Sequence, residues 1–233
     1  LAEKTATATH EVEQAIGLGW TNIKLYFMVG LPTETFEDLD GIVEIARKIT
    51  DINYKITGKR GRFNVTVSAS NFVPKAHTPF QWFPQNTAEQ FREKNFYLKD
   101  KLKGVKGVTF QYHGTDASHL EAVFARGDRR VCDVLIKAVE LGCKFDGWRE
   151  HFRYDLWLKA FEETGIDAAF YASRERTYDE IMPWDLIDSG VSKQFLIAEN
   201  DKAVEEVQSP DCRAYCIGCG INSKTKCAME GTL

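Results

Sequence analysis

A chain of 233 residues, 43% hydrophobic and 27% charged, is long enough for one substantial core, or one core with an appended subdomain. Thirty Lys and Arg against 34 Asp and Glu leave a formal net charge of −4, which excludes a general attraction to phosphate backbones or anionic membranes while allowing a local basic patch. No apolar run is long enough to span a bilayer and the opening LAEKTATATHEVEQ has no signal-peptide pattern, so no membrane partner is expected and the cytoplasm is the expected compartment.

The chain opens without methionine inside THEVEQAIGLGW, where Val12, Ala15, Ile16 and Leu18 share one face of an expected helix, and it reads as part of a longer protein. NIKLYFMVG (22–30) is a nearly continuous apolar run that predicts a strand buried on both faces. A helix is expected next: Thr35 and Asp38 form a capping-box pattern, and Leu39, Ile42, Val43, Ala46 and Ile49 follow at helical spacing. RFNVTVSASNFVP (62–74), NTAEQFREKNFYLKDKLKG (86–104) and GVTFQYHG (107–114) repeat the pattern as strand, helix and strand. Such alternation is the grammar of a parallel α/β sheet with right-handed crossovers.

Beyond residue 115 the strand signals stop. Leu120, Val123 and Phe124, then Val131, Val134, Leu135, Ala138 and Leu141, predict two helices broken near Gly127. DGWREHFRYDLWLKAFEETG predicts a third, with Trp148, Phe152, Leu156 and Ala160 on one stripe and Gly165 as its stop. Cys132 and Cys143, each in an apolar stretch, are expected as buried fillers. Ser209 and Pro210 mark a linker into a tail where Cys212, Cys216 and Cys219 are spaced C-x3-C-x2-C and Cys227 follows.

In parallel α/β sheets ligands lie beyond the carboxyl ends of the strands, and GLPTET (30–35) and NFVPKAHTPF (71–80) occupy such ends. Gly30 admits a close backbone approach, Pro32 fixes the turn and the helix start that follows presents free N–H groups. A turn that only reverses the chain is an equal reading of those six residues.

Two such segments in order, followed by LEAVFARGDRR, CKFDGWREHFRYDLW, PWDLIDSGVSKQFL and PDCRAYCIGCG, resemble the C-terminal part of a bacterial family of radical S-adenosylmethionine proteins with an N-terminal cobalamin-binding-type domain. KLYFMVGLPTET resembles the fifth strand of the family's barrel, and SNFVPKAHTPFQW the sixth, which is similar to a Pro-x-x-x-Thr-Pro segment of the methylthiotransferases. The resemblance runs from about residue 15 to 220. It implies a partial radical S-adenosylmethionine (β/α) barrel over 1–114, a helical extension over 115–208 and a Cys-rich metal-binding tail over 209–233. It further implies an adenosylmethionine pocket to which Gly30, Leu31, Pro32 and Glu34, then Asn71, Val73 and Pro74, contribute. The family's first strand with its cluster loop, and the cobalamin-type domain, have no counterpart in this chain. The implied radical chemistry, which begins with reductive cleavage of adenosylmethionine, is therefore incomplete here. A missing N-terminal barrel half, or a separate chain supplying it, is the implied partner, and cobalamin enters only through that absent domain.

The tail cannot be the family's catalytic cluster loop, which precedes the barrel strands that enclose adenosylmethionine. Four closely spaced cysteines still fit a structural zinc site or an auxiliary iron–sulfur cluster of 4Fe-4S type, with Cys212, Cys216, Cys219 and Cys227 as ligands. The family tends to carry its fourth cysteine nearer the third, where this chain has Asn222.

Other candidates compete with plainer roles. His113 at a strand end, with Asp116 and His119 nearby, suits proton transfer or simple helix capping. His77, Lys75 and Thr78 have equal claims to face a substrate. Arg126, Arg129 and Arg130 suit an RNA phosphate, adenosylmethionine's carboxylate or a solvated helix junction. His151 and Asp155, four apart on the third expected helix, suit a metal pair or a surface hydrogen bond. Two functional classes follow: part of a radical S-adenosylmethionine enzyme with an RNA or ribosomal substrate, or a non-catalytic zinc-knuckle module that binds RNA or protein.

Overall fold

The computed structural model describes residues 2–58, 63–224 and 227. The elements divide into two compact units, one formed by the residues up to Phe72 together with Asn86–Ser118, the other by Val73–Gln85 and the residues from His119 onward.

The first unit contains α1 (Ala2–Gly17), β1 (Asn22–Val29), α2 (Phe36–Thr57), β2 (Asn64–Asn71), α3 (Ala88–Lys103) and β3 (Val108–Tyr112). All three strands are parallel and lie in chain order, β1-β2-β3, with Asn22 opposite Asn64 and Val65 opposite Val108. Two capping boxes start the helices between them. The Thr35 side chain accepts from the Asp38 N–H while the Asp38 carboxylate accepts from the Thr35 N–H, and Thr87 and Gln90 do the same for α3. Leu39, Ile42, Val43, Ala46 and Ile49 of α2 are all buried, as their spacing predicts, each large apolar side chain contributing about 2 kcal/mol. α2 ends at Gly58, which takes the left-handed conformation at φ 66°.

One face of the sheet supplies the core. Val29, Val65, Val67 and Ala69 are buried with α2, Leu98 and Leu102 of α3 and Ile16 of α1, and Ile23, Leu25, Phe27, Val108 and Phe110 pack against them. Side chains alternate along a strand, so Lys24, Tyr26 and Met28 of β1 point the other way, with Thr66, Ser68 and Ser70 of β2 and Thr109 and Gln111 of β3. Tyr26 is 74% and Met28 51% exposed. This corrects the expectation that β1 is buried on both faces: an apolar run marks a strand but does not reveal whether a second layer covers it. Leu18 also leaves its expected stripe, because α1 stops at Gly17.

The second unit is helical: α4 (Thr115–Arg126), which begins within the first unit, then α5 (Val131–Glu140), α6 (Tyr154–Thr164), α7 (Ala168–Ala172) and α8 (Lys193–Val204). α4 and α5 part near Gly127, where an added Cβ would lie 2.8 Å from the Val123 carbonyl oxygen and 2.7 Å from Val131. On α5, Val131, Val134 and Ala138 face the core while Cys132 lies on the exposed side, contrary to its expected burial; Cys143 is buried as expected. The Cys143 thiol is pushed up by that burial. The third expected helix is shorter than its apolar stripe, since successive turns from Phe145 to His151 precede Tyr154 and leave Trp148 exposed. Gly165 stops it in the left-handed conformation as predicted.

Two buried arginines fasten this unit. Arg126 has no exposed surface; its guanidinium donates to the carbonyl oxygens of Phe83 (2.8 Å), Ala172 (3.0 Å) and Arg174 (3.0 Å). Arg176 donates to the Arg126 carbonyl at 2.8 Å and lies over the Trp184 ring. Burial, followed by the neighbouring Arg176 and Arg174, pulls the Arg126 pKa down to about 10, still far above neutrality. Replacing Arg126 with Met leaves three buried carbonyls short of donors, and a loss of about 3 kcal/mol is expected from the shift in urea midpoint. Tyr178 donates to Asn200 and Asp201, and desolvation together with the Asp201 bond raises its pKa to about 12. The folded chain keeps that proton while the unfolded chain loses it, so this contribution is whole below pH 10 and is lost as pH rises towards 12. Tyr178→Phe removes that part of the alkaline loss, measured as the difference between denaturation midpoints of the two proteins across the same pH range.

Candidate functional site at the carboxyl ends of the strands

GLPTET begins where β1 ends. Gly30 takes φ 85°, and three residues later Thr33 takes φ 64°, a left-handed conformation that a β-branched residue adopts at a cost of about 1–2 kcal/mol. The turn is held by Glu34. Its carboxylate accepts the Gly30 N–H through Oε1 (2.9 Å) and Oε2 (3.1 Å) and accepts from Lys94 Nζ of α3 at 2.7 Å. Both side chains are largely buried, 6% and 14% exposed, so removing either leaves an uncompensated charge worth about 3 kcal/mol. The Glu34 N–H donates to the Leu31 carbonyl at 3.2 Å and closes the turn.

The role of Gly30 is thereby sharper than its sequence suggested. A Cβ at this position would stand 2.4 Å from Phe91 Cε1 and 3.1 Å from Asn86 Oδ1. Packing of α3 against the end of β1 already requires the glycine. Leu31 and Pro32 are half-buried and remain as the accessible part of the segment.

Asn71 ends β2, fully paired in register with Val29. It is buried; its Nδ2 donates to Ser118 Oγ at 3.0 Å, and its Oδ1 is buried with no hydrogen-bond partner. A buried acceptor without a donor is costly and suits a site that a donor-bearing ligand completes. The N–H of His113, at the end of β3, donates to the Ala69 carbonyl at 3.2 Å, while its residue remains exposed. Among the residues expected around adenosylmethionine, Asn71 thus offers an orphaned acceptor, whereas both Glu34 oxygens are already engaged.

In the second unit Val73 and Pro74 are buried, Lys75 pairs with Glu121, and His77 sits at φ 56° with its N–H donating to Gln81 Oε1. His77 Nε2 is buried without a partner. His119 lies in α4 as expected and its Nδ1 is 2.8 Å from the Tyr154 hydroxyl. Arg126 is the buried fastener described above, Arg130 pairs with Asp128, whose carboxyl it holds well below the usual range, and Arg129 is exposed. His151 and Asp155 do not share a helix: α6 begins at Tyr154, and Asp155 pairs with Arg153 at 2.7 Å. Nothing in the apolar and charge spacing foretold Arg126 as a core residue, since a guanidinium reads as surface until its carbonyl partners are known.

The four tail cysteines are free thiols, Cys212 exposed and Cys216, Cys219 and Cys227 half-buried. Among the described residues no three His, Cys, Asp or Glu side chains are gathered as a metal-ligand set. The loop that carries them has a defined course. Gly218 and Gly220 take φ 77° and 102°, the Cys219 carbonyl accepts the Ser192 N–H at 2.9 Å and Lys224 pairs with Asp188 at 2.7 Å. Asn222 Nδ2 lies 4.0 Å from Cys216 Sγ, so position 222 sits beside one of the expected ligands. The donor set, four thiols with two glycine turns, fits either zinc or an iron–sulfur cluster.

No family model matches the chain and no solved structure matches it. An uncharacterized protein of Methanocaldococcus jannaschii is 26% identical over 159 residues, which cover 66% of this chain and 32% of that protein, so the chain spans about a third of the relative's length.

Gly30→Ala tests the packing requirement. It is expected to lower stability by about 3 kcal/mol, the sum of the left-handed backbone and the contact with Phe91. Adding Phe91→Leu to Gly30→Ala recovers part of that loss in urea unfolding if the ring is the obstacle, and none of it if backbone conformation alone is responsible.

Proposed function

We propose that the chain is the C-terminal portion of a radical S-adenosylmethionine iron–sulfur enzyme: it contributes to the cofactor pocket and the substrate side, holds an auxiliary metal site in its tail, and is not catalytically complete by itself. The observation that carries this reading is the sheet. Strands in strict chain order with their helices on one face are the order expected of a barrel segment, whereas a doubly wound sheet reverses its order and places helices on both faces. On this reading the face of Lys24, Tyr26, Thr66 and Gln111 is the interior of a partial barrel. A further barrel segment, from the same longer chain or a separate one, pairs with its free edge.

The residues then have distinct duties. Glu34 and Lys94 position the turn after β1, Leu31 and Pro32 offer apolar surface and backbone beside it, and Asn71 Oδ1 accepts a hydrogen bond from an amino group of adenosylmethionine. Val73 and Pro74 shape the chain that follows β2. Adenosylmethionine, if bound, would be held by these residues and would supply radical chemistry through reductive cleavage of its sulfonium. Cys212, Cys216 and Cys219 hold the auxiliary metal, with Cys227 or a donor near Asn222 as fourth ligand. A zinc knuckle for RNA or protein recognition is the second reading, favoured by the two glycine turns at 218 and 220.

Anaerobic reconstitution with iron and sulfide separates the two. The first reading expects about four irons per chain and a broad visible absorbance that Cys216→Ser abolishes. A colourless protein with one zinc per chain sinks the auxiliary cluster and leaves the knuckle.

A further inference from the structure

The amino ends of the three strands carry a second surface, at the opposite end of the strands from GLPTET and Asn71. The chain enters β1 through Trp20 and Thr21, leaves α2 through Gly58 and leaves α3 through Gly104–Gly107. Between the last two runs a cleft of about 270 Å³ is lined by Arg47, Thr50, Asp51, Phe63, Val105 and Lys106. The segments that build it, 47–58 and 99–106, carry the exposed cations Arg47, Lys48, Lys55, Lys99, Lys103 and Lys106 against Asp51 and Asp100, in a chain whose net charge is −4. Lys101 is occupied by Asp40 at 3.1 Å.

Helix ends account for part of this charge. The carboxyl ends of α2 and α3 attract cations, and Lys55 for α2 and Lys101 and Lys103 for α3 sit in their last turns. Arg47, Lys48, Lys99 and Lys106 lie outside those turns, and none of them has an ion-pair partner among the described residues. One aromatic side chain is exposed on the same end, Trp20 (65%). Basic residues around a cleft, with an exposed ring on the same end, match the way single-stranded nucleic acid is held, with phosphates on the cations and an unstacked base on an aromatic face.

We propose that this end of the first unit binds the backbone of a single-stranded nucleic acid through Arg47 and Lys106, with Trp20 as a stacking platform. The surface needs neither the tail metal nor the adenosylmethionine pocket, so it stands or falls separately from the function proposed above.

Fluorescence anisotropy of the full chain with a labelled oligouridine RNA, and with oligothymidine DNA in parallel, tests it across a range of salt concentrations. Binding is expected at low salt, and Arg47→Gln with Lys106→Gln should reduce the slope of log affinity against log salt by about 1.4, roughly 0.7 for each phosphate contact removed. Lys144→Gln with Arg149→Gln removes the same charge from exposed positions of the second unit and should leave the slope unchanged. An absence of binding at low salt, an unchanged slope in the first double variant or an equal loss in both overturns the proposal. Phosphatidylglycerol vesicles bound in preference to either oligonucleotide overturn it as well.

Discussion

Glu34 stands where β1 ends, and the upper end of the first unit is organised around its carboxylate. A strand that terminates in a glycine at φ 85° and a threonine at φ 64° is not held there by local preference. It is held because one buried anion meets a backbone N–H on its own turn and an ammonium from α3, the two groups that most need a partner at that depth. The same contact brings α3 close enough for Phe91 to press on Gly30, so the glycine, the ring and the ion pair constrain one another. Tyr97 adds a further link from α3, donating to Asp40 of α2 at 2.9 Å and lying 4.9 Å from the Phe36 ring. The turn after β1 is therefore a rigid feature, and rigid turns at strand ends are where a fold can present backbone groups to a ligand without first ordering them.

The sheet poses a different question. Parallel strands are ordinarily covered on both faces because both faces are apolar. Here the other face carries Thr66, Ser70, Thr109 and Gln111 together with the buried Ser68, and Asn64 bonds to Thr66 on its own strand and to Thr109 on β3. A face so rich in hydroxyl and amide groups is poorly suited to a second packed helix layer and well suited to a hydrated interior. The long apolar β1 at the edge has unpaired backbone groups, which proteins seldom leave open. Both features are what the proposed barrel segment would require of its interior and its seam.

The sequence was most legible where one periodicity dominated. The inward positions of α2 and both capping boxes follow from spacing alone, because a helix with one buried stripe and a polar cap has few alternatives. The strand β1 is legible but its environment is not, since a nearly continuous apolar run looks the same whether one face or two are buried. Cys132 failed for the opposite reason. α5 is apolar nearly all round, and only the contacts of Val131, Val134 and Ala138 decide which side is inner. Glu34 was singled out from its motif, but its partner Lys94 lies sixty residues away and could not be paired with it. Arg126 stayed invisible because a charged side chain whose hydrogen bonds all go to carbonyl oxygens leaves no complementary charge in the sequence to search for.

The two ends of the first unit divide its chemistry. At the carboxyl ends charges are buried, paired and few, and the orphaned acceptors there, Asn71 Oδ1 and Asn86 Oδ1, are themselves out of water. At the amino ends charges are exposed and mostly positive. The first arrangement suits a small ligand bound in a fixed orientation, because each buried polar group is costly unless a particular donor or acceptor meets it. The second suits a long, uniformly charged partner, because exposed cations gain little from any single fixed contact and much from releasing many counterions together. The strands between are eight residues at most, a span of roughly 27 Å, so the two ends are separate surfaces, and a ligand held at one leaves the other open.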